Sequence, residues 1–163
     1  MARKVFYSFH FDNDCWRTQQ VRNMGTIEGN KPCSSNDWEE VKKKGDAAVY
    51  SWIDNQLDSR TCTIVLIGQN TAGRKYINYE IKRSWEKGIG VVGVHIHGLK
   101  DNNQEQSSKG SNPFNGHTSG GRSTSSYIKV YDPPFSHSEN VYGHISSNLA
   151  AWVEEAIALR AEF

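Results

Sequence analysis

Residues 62–88 combine the pattern of a buried strand with the pattern of an amphipathic helix that follows it directly. The strand is the run Cys62-Thr-Ile-Val-Leu-Ile-Gly68, which is apolar and β-branched without polar alternation. Such a run is typical of a parallel strand that is covered on both faces. The next residues predict a turn, with Thr71 as the N-cap of a helix that ends near Gly88. This segment therefore predicts one β-α unit of a parallel sheet.

The predicted helix places one carboxylate beside its apolar face. Ile77, Ile81 and Trp85 recur at every fourth residue, so we expect them to face the core. Glu80 lies on the neighbouring stripe of the helix surface. From spacing alone, a solvated surface glutamate is the default interpretation. However, the region beyond the carboxyl ends of parallel strands is where open α/β sheets bind ligands.

The remaining segments alternate between strand and helix patterns. In chain order they predict a strand over 4–11, a helix over 12–22, a short strand near 26–28, a helix over 46–57, a strand over 90–98, a last strand over 127–131 and a final helix over 141–163. This alternation predicts an α/β fold in which a central parallel sheet carries helices on both faces, in flavodoxin-like strand order. We expect the whole chain, 1–163, to form a single domain.

Two long polar segments interrupt this pattern, near 25–45 and 100–126. A loop as long as the first of these is, in a compact domain, more often functional or mobile than idle. The first segment ends in a run over 37–44 that predicts a helical turn or two, and this run contains Trp38. Trp38 has two interpretations, a hydrophobic plug that holds the loop down or a residue that stacks on a ligand.

Charge and cysteine content exclude several classes of partner and site. The chain has 19 Lys and Arg against 18 Asp and Glu, which gives no electrostatic footprint for nucleic acid. Cys15, Cys33 and Cys62 form no CxxC pair, so they predict neither a disulfide framework nor a zinc site. No segment reaches membrane-spanning length and the N-terminus lacks a signal-peptide pattern, so we expect a cytoplasmic protein without a membrane partner.

Several catalytic motifs are missing from the sequence. No GxGxxG or P-loop pattern follows a strand, and no GxSxG elbow is present, which argues against nucleoside triphosphatase and serine-hydrolase chemistry. His95 and His97 share a face at i and i+2 and could ligate a metal. Two neutral histidines at a strand end are the more common arrangement, so no metal is expected.

Several polar and aromatic residues that are separate in sequence from Glu80 are expected to lie near it in space. Ser8, Phe9 and His10 end the first predicted strand, and Asp14 and Arg17 begin the first predicted helix. Because the carboxyl ends of neighbouring parallel strands meet at one crevice, we expect these residues to lie near the helix that carries the opening carboxylate. Arg17 can form a helix-surface ion pair with Asp14 or bind a phosphate bidentately, and the residues alone favour the ion pair.

The sequence resembles the ThsB-type TIR-like family of bacterial Thoeris antiphage systems over roughly its first hundred residues. The resemblance is carried by Val5-Phe-Tyr-Ser-Phe-His10, by Asp14-Cys-Trp-Arg17 to Asn23, by Gly73-Arg-Lys-Tyr-Ile-Asn-Tyr-Glu-Ile81, and by Gly88 with Val91-Val-Gly-Val-His-Ile96. It implies a flavodoxin-like, TIR-type three-layer fold. It also implies an enzyme that cleaves NAD on sensing phage and makes a cyclic or otherwise modified ADP-ribose signal, with Glu80 as the catalytic residue.

The same resemblance implies further partners and roles. NAD is then the substrate, no separate cofactor is needed, and the product activates an effector protein; a phage trigger and a homo-oligomer formed on activation are also expected. Residues expected to bind the substrate are Ser8, Phe9, His10, Asp14, Arg17 and Trp38. The alternative is a catalytically silent TIR-like interaction module that acts by self-assembly. A flavin-binding flavodoxin is disfavoured because the loop after the first strand lacks a phosphate cradle.

Overall fold

The computed structural model describes residues 3–25, 28–29, 41–119 and 121–163, and a sheet forms the centre of this part of the chain. The strands are β1 Lys4–Ser8, β2 Glu28–Gly29, β3 Cys62–Ile67, β4 Gly90–His95, β5 Thr118–Ser119, β6 Arg122–Ser123 and β7 Val130–Tyr131. Five of them form one parallel sheet in the order β2-β1-β3-β4-β7. Strands β5 and β6 form a separate antiparallel pair.

Helices cover both faces of the sheet. They are α1 Phe11–Arg22, α2 Asp46–Leu57, α3 Lys75–Glu86 and α4 Ser138–Ala161. Helices α1 and α4 pack on one face, where Val21 and Leu149 meet Tyr7 of β1. Helices α2 and α3 pack on the other face, where Ile53 meets Phe6 and Ile81 joins the side chains of β3. This arrangement confirms the flavodoxin-like three-layer α/β fold.

The β-α unit predicted over 62–88 forms as a buried strand and an amphipathic helix. Every residue of β3 is buried, which its uninterrupted apolar pattern predicts. Ile77, Ile81 and Trp85 are buried in the core of that face, as their spacing predicts. The register pairs Ser8 of β1 with Val65 of β3, and Ile67 of β3 with His95 of β4. The crevice at the carboxyl ends is therefore bordered by β1, β3 and β4.

Thr71 does not cap α3, so the prediction of the helix start was wrong. The helix begins at Lys75 with Arg74 as its N-cap. The Thr71 hydroxyl instead accepts a hydrogen bond from the Gly68 N–H at 2.8 Å and closes the turn after β3. Serine and threonine side chains form such local turn bonds as well as helix caps, and the residue type cannot distinguish the two.

Other element boundaries differ from the predictions at the strand ends. Strand β1 stops at Ser8, and Phe11 belongs to α1 because the chain turns at His10. Strand β4 stops at His95, so His97 lies beyond it. The last strand is only Val130–Tyr131, since residues 124–126 before it form a 3₁₀ turn. Apolar residues such as Phe9 and Ile128 lie outside the strands, so the apolar pattern by itself does not mark where a strand begins or ends.

The two long polar segments have different outcomes. Residues 41–43 are helical, in agreement with part of the turn predicted over 37–44, whereas Trp38 lies outside the described residues. The 100–126 segment contains a 3₁₀ helix at Pro113–Gly116 and the β5-β6 pair. Phe114 of that 3₁₀ helix is fully buried in the same cluster as Ile81. A segment read as polar loop thus contributes one residue to the core.

Two expectations drawn from the sequence concern disulfide bonds and membrane-spanning helices. Cys15 is disulfide-bonded, and Cys62 is free and buried in β3. The cysteine spacing did not predict this bond, because it depends on which chain segments meet and not on their separation in sequence. Within the described residues, no helix combines the length and apolarity that crossing a bilayer requires.

Candidate active site

Glu80 lies inside the protein rather than on its surface. Helix α3 presents this residue toward the carboxyl end of β1, where the Ser8 hydroxyl donates a 2.7 Å hydrogen bond to Glu80 Oε1. Glu80 is 7% exposed and Ser8 is 0% exposed. The default interpretation of a solvated surface glutamate is therefore wrong, because β1 covers the stripe of α3 that borders the apolar one. The two residues meet as the predicted crevice requires.

Burial changes the acid-base behaviour of this carboxyl group. Desolvation raises the pKa of Glu80 to about 8, and the hydrogen bond from Ser8 opposes that rise. A low-polarity environment disfavours the charged form of an acid unless a positive charge stands nearby. A strongly perturbed carboxyl group in a crevice is a candidate for chemistry. Without a positive charge beside it, Glu80 is therefore largely protonated near neutral pH.

The main chain at Glu80 is held by a second pair of buried hydroxyls. The Ser84 hydroxyl donates to the Glu80 carbonyl oxygen at 2.6 Å and lies 2.7 Å from the Thr63 hydroxyl of β3. All of these groups are buried. Sequence reasoning missed this contact, since a serine on a helix gives no sign of the strand hydroxyl it will meet. The contact fixes the depth of α3 against β3.

Among the described residues, three ion pairs connect α2 to α3, and the last of them joins the two residues that directly follow these helices. They are Asp46–Lys75 at 2.8 Å, Asp54–Arg83 at 3.1 Å and Asp58–Lys87 at 3.0 Å. Each pair is at least partly exposed, so each contributes little to stability by itself. Their repeated spacing nevertheless sets the register of α2 against the helix that carries the buried carboxylate. The sequence pattern did not indicate this ladder.

Asp14 and Arg17 form the ion pair predicted from their spacing, but the pair is buried and not on the helix surface. Arg17 Nη1 lies 3.1 Å from Asp14 Oδ1. The same guanidinium donates to the Leu99 carbonyl at 2.8 Å and to the Glu105 carbonyl at 3.0 Å. Burial raises the pKa of Asp14, although Arg17 beside it acts in the opposite direction. Arg17 thus fastens the chain after β4 to the start of α1.

A phosphate-binding role for Arg17 stays a prediction. In the structure its donors are engaged by Asp14 and by three backbone carbonyls, those of Asn13, Leu99 and Glu105. A phosphate would have to replace one of these partners, which would leave a buried acceptor without its hydrogen bond. The contacts therefore support a structural role more directly than a substrate-binding role.

The Asp14 side chain packs directly on the backbone of Gly68, at the end of β3. A Cβ atom at Gly68 would overlap the Asp14 carboxylate, and a Cβ atom at Gly110 would overlap the Gly68 carbonyl oxygen. The chain after β4 therefore crosses closely over the carboxyl end of β3. Only glycine permits such an approach at both positions.

Phe9 and His10 stand between β1 and α1, next to Ser8 in sequence. Phe9 is partly buried against the core and its ring centroid lies 6.1 Å from that of Phe11. His10 is partly buried at the N-cap position of α1. Their contacts to substrate stay predictions, as does the role of Trp38, which lies outside the described residues.

A polar cavity of about 580 Å³ lies between the start of α1 and the chain after β4. Its lining comprises Asn13, Asp14, Arg17, Gln69, Asp101 and residues 105–108. Glu80 is not among these lining residues, so the cavity does not contain the buried carboxylate. Two carboxylates, those of Asp14 and Asp101, lie 3.1 and 3.8 Å from Arg17 there, and Glu105 is a further acidic residue of the lining. This excess of negative charge disfavours an anionic ligand.

His95 and His97 come close together without forming a recognisable metal site. Their ring centroids lie 5.6 Å apart, with the planes at 81°. Burial lowers the pKa of His95 to about 4 and also lowers that of His97, so both rings are neutral near pH 7. In the part of the chain that the structure describes, no three His, Cys, Asp or Glu side chains gather to hold an ion. The pair gives no support for metal chemistry.

Comparison with known proteins places this chain within a family. A relative from Bacillus cereus (strain MSX-D12), named "Putative cyclic ADP-D-ribose synthase ThsB1", is 38% identical over 119 residues, which is 70% of this chain and 62% of that protein. The chain thus spans less than two thirds of the length of this relative. Residues 6–101 match the family described as Thoeris protein ThsB, TIR-like domain. This match includes both Ser8 and Glu80, and the chain belongs to the ThsB-type TIR-like family of Thoeris proteins.

Proposed function

We propose that this protein cleaves NAD, as an NAD glycohydrolase of the ADP-ribosyl cyclase type, and that Glu80 is its catalytic residue. The observation that carries the proposal is the buried carboxyl group of Glu80, which meets Ser8 at the carboxyl end of β1. Burying an ionisable group destabilises the fold, so its presence at this location supports a functional role for it. The name of the relative from Bacillus cereus supports the same reaction class. NAD would enter as the substrate, with no separate cofactor.

The reaction breaks the bond between the nicotinamide nitrogen and the anomeric carbon of the ribose. Nicotinamide leaves as a neutral molecule with the bonding electron pair, and positive charge develops on the sugar. A carboxylate beside the ribose stabilises this oxocarbenium character, as it does in glycoside cleavage. Glu80 would supply that carboxylate.

The raised pKa of Glu80, about 8, fits a cationic substrate. The nicotinamide ring of NAD carries a positive charge, and an opposite charge nearby favours the ionised carboxyl group. Binding of the substrate would therefore create the carboxylate that the reaction needs.

The fate of the sugar cation depends on which nucleophile reaches it. Attack by water gives ADP-ribose, whereas attack by a nitrogen of the adenine within the same molecule gives a cyclic ADP-ribose. Exclusion of water favours the second outcome. We propose that Phe9 and His10 contact the nicotinamide or its ribose and that Trp38 also binds the substrate. We further propose that the protein makes a cyclic or otherwise modified ADP-ribose.

The family membership supports a place for this reaction in antiphage defence. We propose that the nucleotide is a second messenger made in the cytoplasm and that it activates an effector protein of the same defence system. A phage-derived trigger and self-association on activation belong to this proposal. A catalytically silent interaction module would have no need of a carboxyl group held at the cost of burial.

The test is incubation of the purified protein with NAD, alone and with lysate of phage-infected cells, followed by mass spectrometry of the products. We expect nicotinamide release and an ADP-ribose derivative in at least the triggered reaction. Glu80→Gln should abolish both, while Glu86→Gln, an exposed change on the same helix, should not. Nicotinamide release that survives Glu80→Gln, or its absence under every trigger, would reject the proposal.

A further inference from the structure

Ser8 is one of the fully buried polar residues around the proposed site. It lies at the end of β1, opposite Val65 of β3, and is 0% exposed. Its hydroxyl donates to Glu80 Oε1 at 2.7 Å, whereas Glu80 itself keeps 7% exposure. Ser8 therefore offers no surface to a ligand, whereas Glu80 retains a small exposed fraction.

We propose that Ser8 is a positioning residue, which orients the Glu80 carboxyl group and stabilises its ionised form, and that it does not contact the substrate. The inference rests on the proposed function in assuming that the carboxylate of Glu80 is the reactive group. It replaces the expectation from sequence that Ser8 binds the substrate.

The geometry suits such a role because both partners are fixed by rigid elements. Ser8 is held in the ladder between β1 and β3, and Glu80 is held in α3. A serine hydroxyl has a single proton to donate, and here it is directed at one carboxylate oxygen. A donor that is already in place when charge appears needs no reorganisation during the reaction.

The same hydrogen bond favours the charged form of Glu80 over the neutral form. Among the described residues, burial and the Ser8 hydroxyl are the influences on the Glu80 pKa, and they act in opposite directions. A hydrogen bond to a charged acceptor is stronger than one to a neutral acceptor. Removing the hydroxyl should therefore raise the pKa of Glu80, by about one pH unit for a bond of ordinary strength.

Helix α3 offers a matched control for this change. Ser84 is also 0% exposed, and its hydroxyl donates to the backbone carbonyl of Glu80 at 2.6 Å. Ser84→Ala therefore removes a buried hydroxyl and a hydrogen bond to the same residue, but leaves the carboxyl group with its donor. Ser8→Thr retains a hydroxyl at the position under test.

The experiment follows the ionisation of Glu80 directly, in full-length protein with carbon-13 in its glutamate side chains. The Glu80 resonance is assigned by its absence from Glu80→Gln and is titrated with pH. We expect Ser8→Ala to move the titration midpoint upward by about one unit, and Ser84→Ala to leave it in place. A midpoint that does not move in Ser8→Ala would overturn the inference, as would an equal shift in both variants.

Activity supplies the second measurement. The pH dependence of kcat/KM reports the pKa of the essential group in the free enzyme. In Ser8→Ala the acid limb of NAD cleavage should shift to higher pH by the same amount, with activity recovering on the alkaline side and in Ser8→Thr. A pH-independent loss would indicate a substrate contact and overturn the inference. Failure of wild-type protein to cleave NAD would instead reject the proposed function, while the titration would still show whether Ser8 controls Glu80.

Discussion

Replacing Glu80 with glutamine should remove activity and at the same time stabilise the folded protein. Glutamine has nearly the same shape and can still accept the hydrogen bond from Ser8, but it cannot ionise. In the folded protein burial raises the pKa of Glu80 from its ordinary value of 4.5 to about 8. Between these values the folded state holds a proton that the unfolded state has released. The free energy of unfolding contributed by this group therefore falls as pH rises.

The size of the effect follows from the distance between the two pKa values. One unit of pKa corresponds to ~1.4 kcal/mol. At about pH 7 the free energy of unfolding of the wild-type protein is therefore ~2–4 kcal/mol lower than at a pH where the group is protonated in both states. Glu80→Gln does not show this loss. At about pH 5 this loss should shrink to ~1 kcal/mol, because the carboxyl group is then fully protonated in the folded protein but still partly ionised in the unfolded chain.

Urea unfolding of both proteins at several pH values between about 5 and 8 measures this difference. Subtracting one free energy of unfolding from the other cancels every titrating group except the substituted one. The advantage of Glu80→Gln should grow with pH, whereas Glu86→Gln, exposed on the same helix, should show a constant difference. A constant difference for Glu80→Gln as well would refute the argument, since it would mean that Glu80 titrates as a solvated glutamate.

Three further substitutions test the surroundings of the site. Ile81→Ala should lower the free energy of unfolding by ~2–5 kcal/mol in urea, because it empties a fully buried position, and a smaller loss would contradict the core assignment. Gly68→Ala should lower the melting temperature by displacing the Asp14 carboxylate, while Gly116→Ala, which meets no neighbour, should change it far less. Arg17→Lys should destabilise the fold because it loses buried hydrogen bonds. A raised KM for NAD with unchanged stability would show instead that Arg17 binds phosphate.

The strand and helix patterns of the sequence predicted most elements of the fold. Uninterrupted apolar runs gave the buried parallel strands, and the spacing of Ile77 and Ile81 gave the buried face of α3. Boundaries were less predictable because hydrogen bonds decide them. Thr71 closes a turn where its residue type suggested a cap. Phe114 reaches the core from a segment that composition marks as a polar loop.

The candidate site was only partly predictable. Because the carboxyl ends of neighbouring parallel strands meet at one crevice, Ser8 and Glu80 were expected to lie near each other. The family resemblance then indicated which carboxylate is catalytic. The ion pair of Asp14 and Arg17 was found from its spacing, but its burial was not. That burial comes from the chain around Leu99, which lies 82 residues from Arg17 in sequence and supplies a backbone acceptor.

By itself the sequence determined that Glu80 stands on the flank of an amphipathic helix, just after a buried parallel strand. It left open whether water or protein covers that flank. Tertiary structure decided this, by bringing Ser8 from a strand 72 residues away to within 2.7 Å of the carboxyl oxygen. Periodicity along one helix fixes only which way a side chain points, whereas solvation depends on the neighbouring element. The proton affinity of Glu80, and with it the proposed chemistry, is therefore a property of the packed fold.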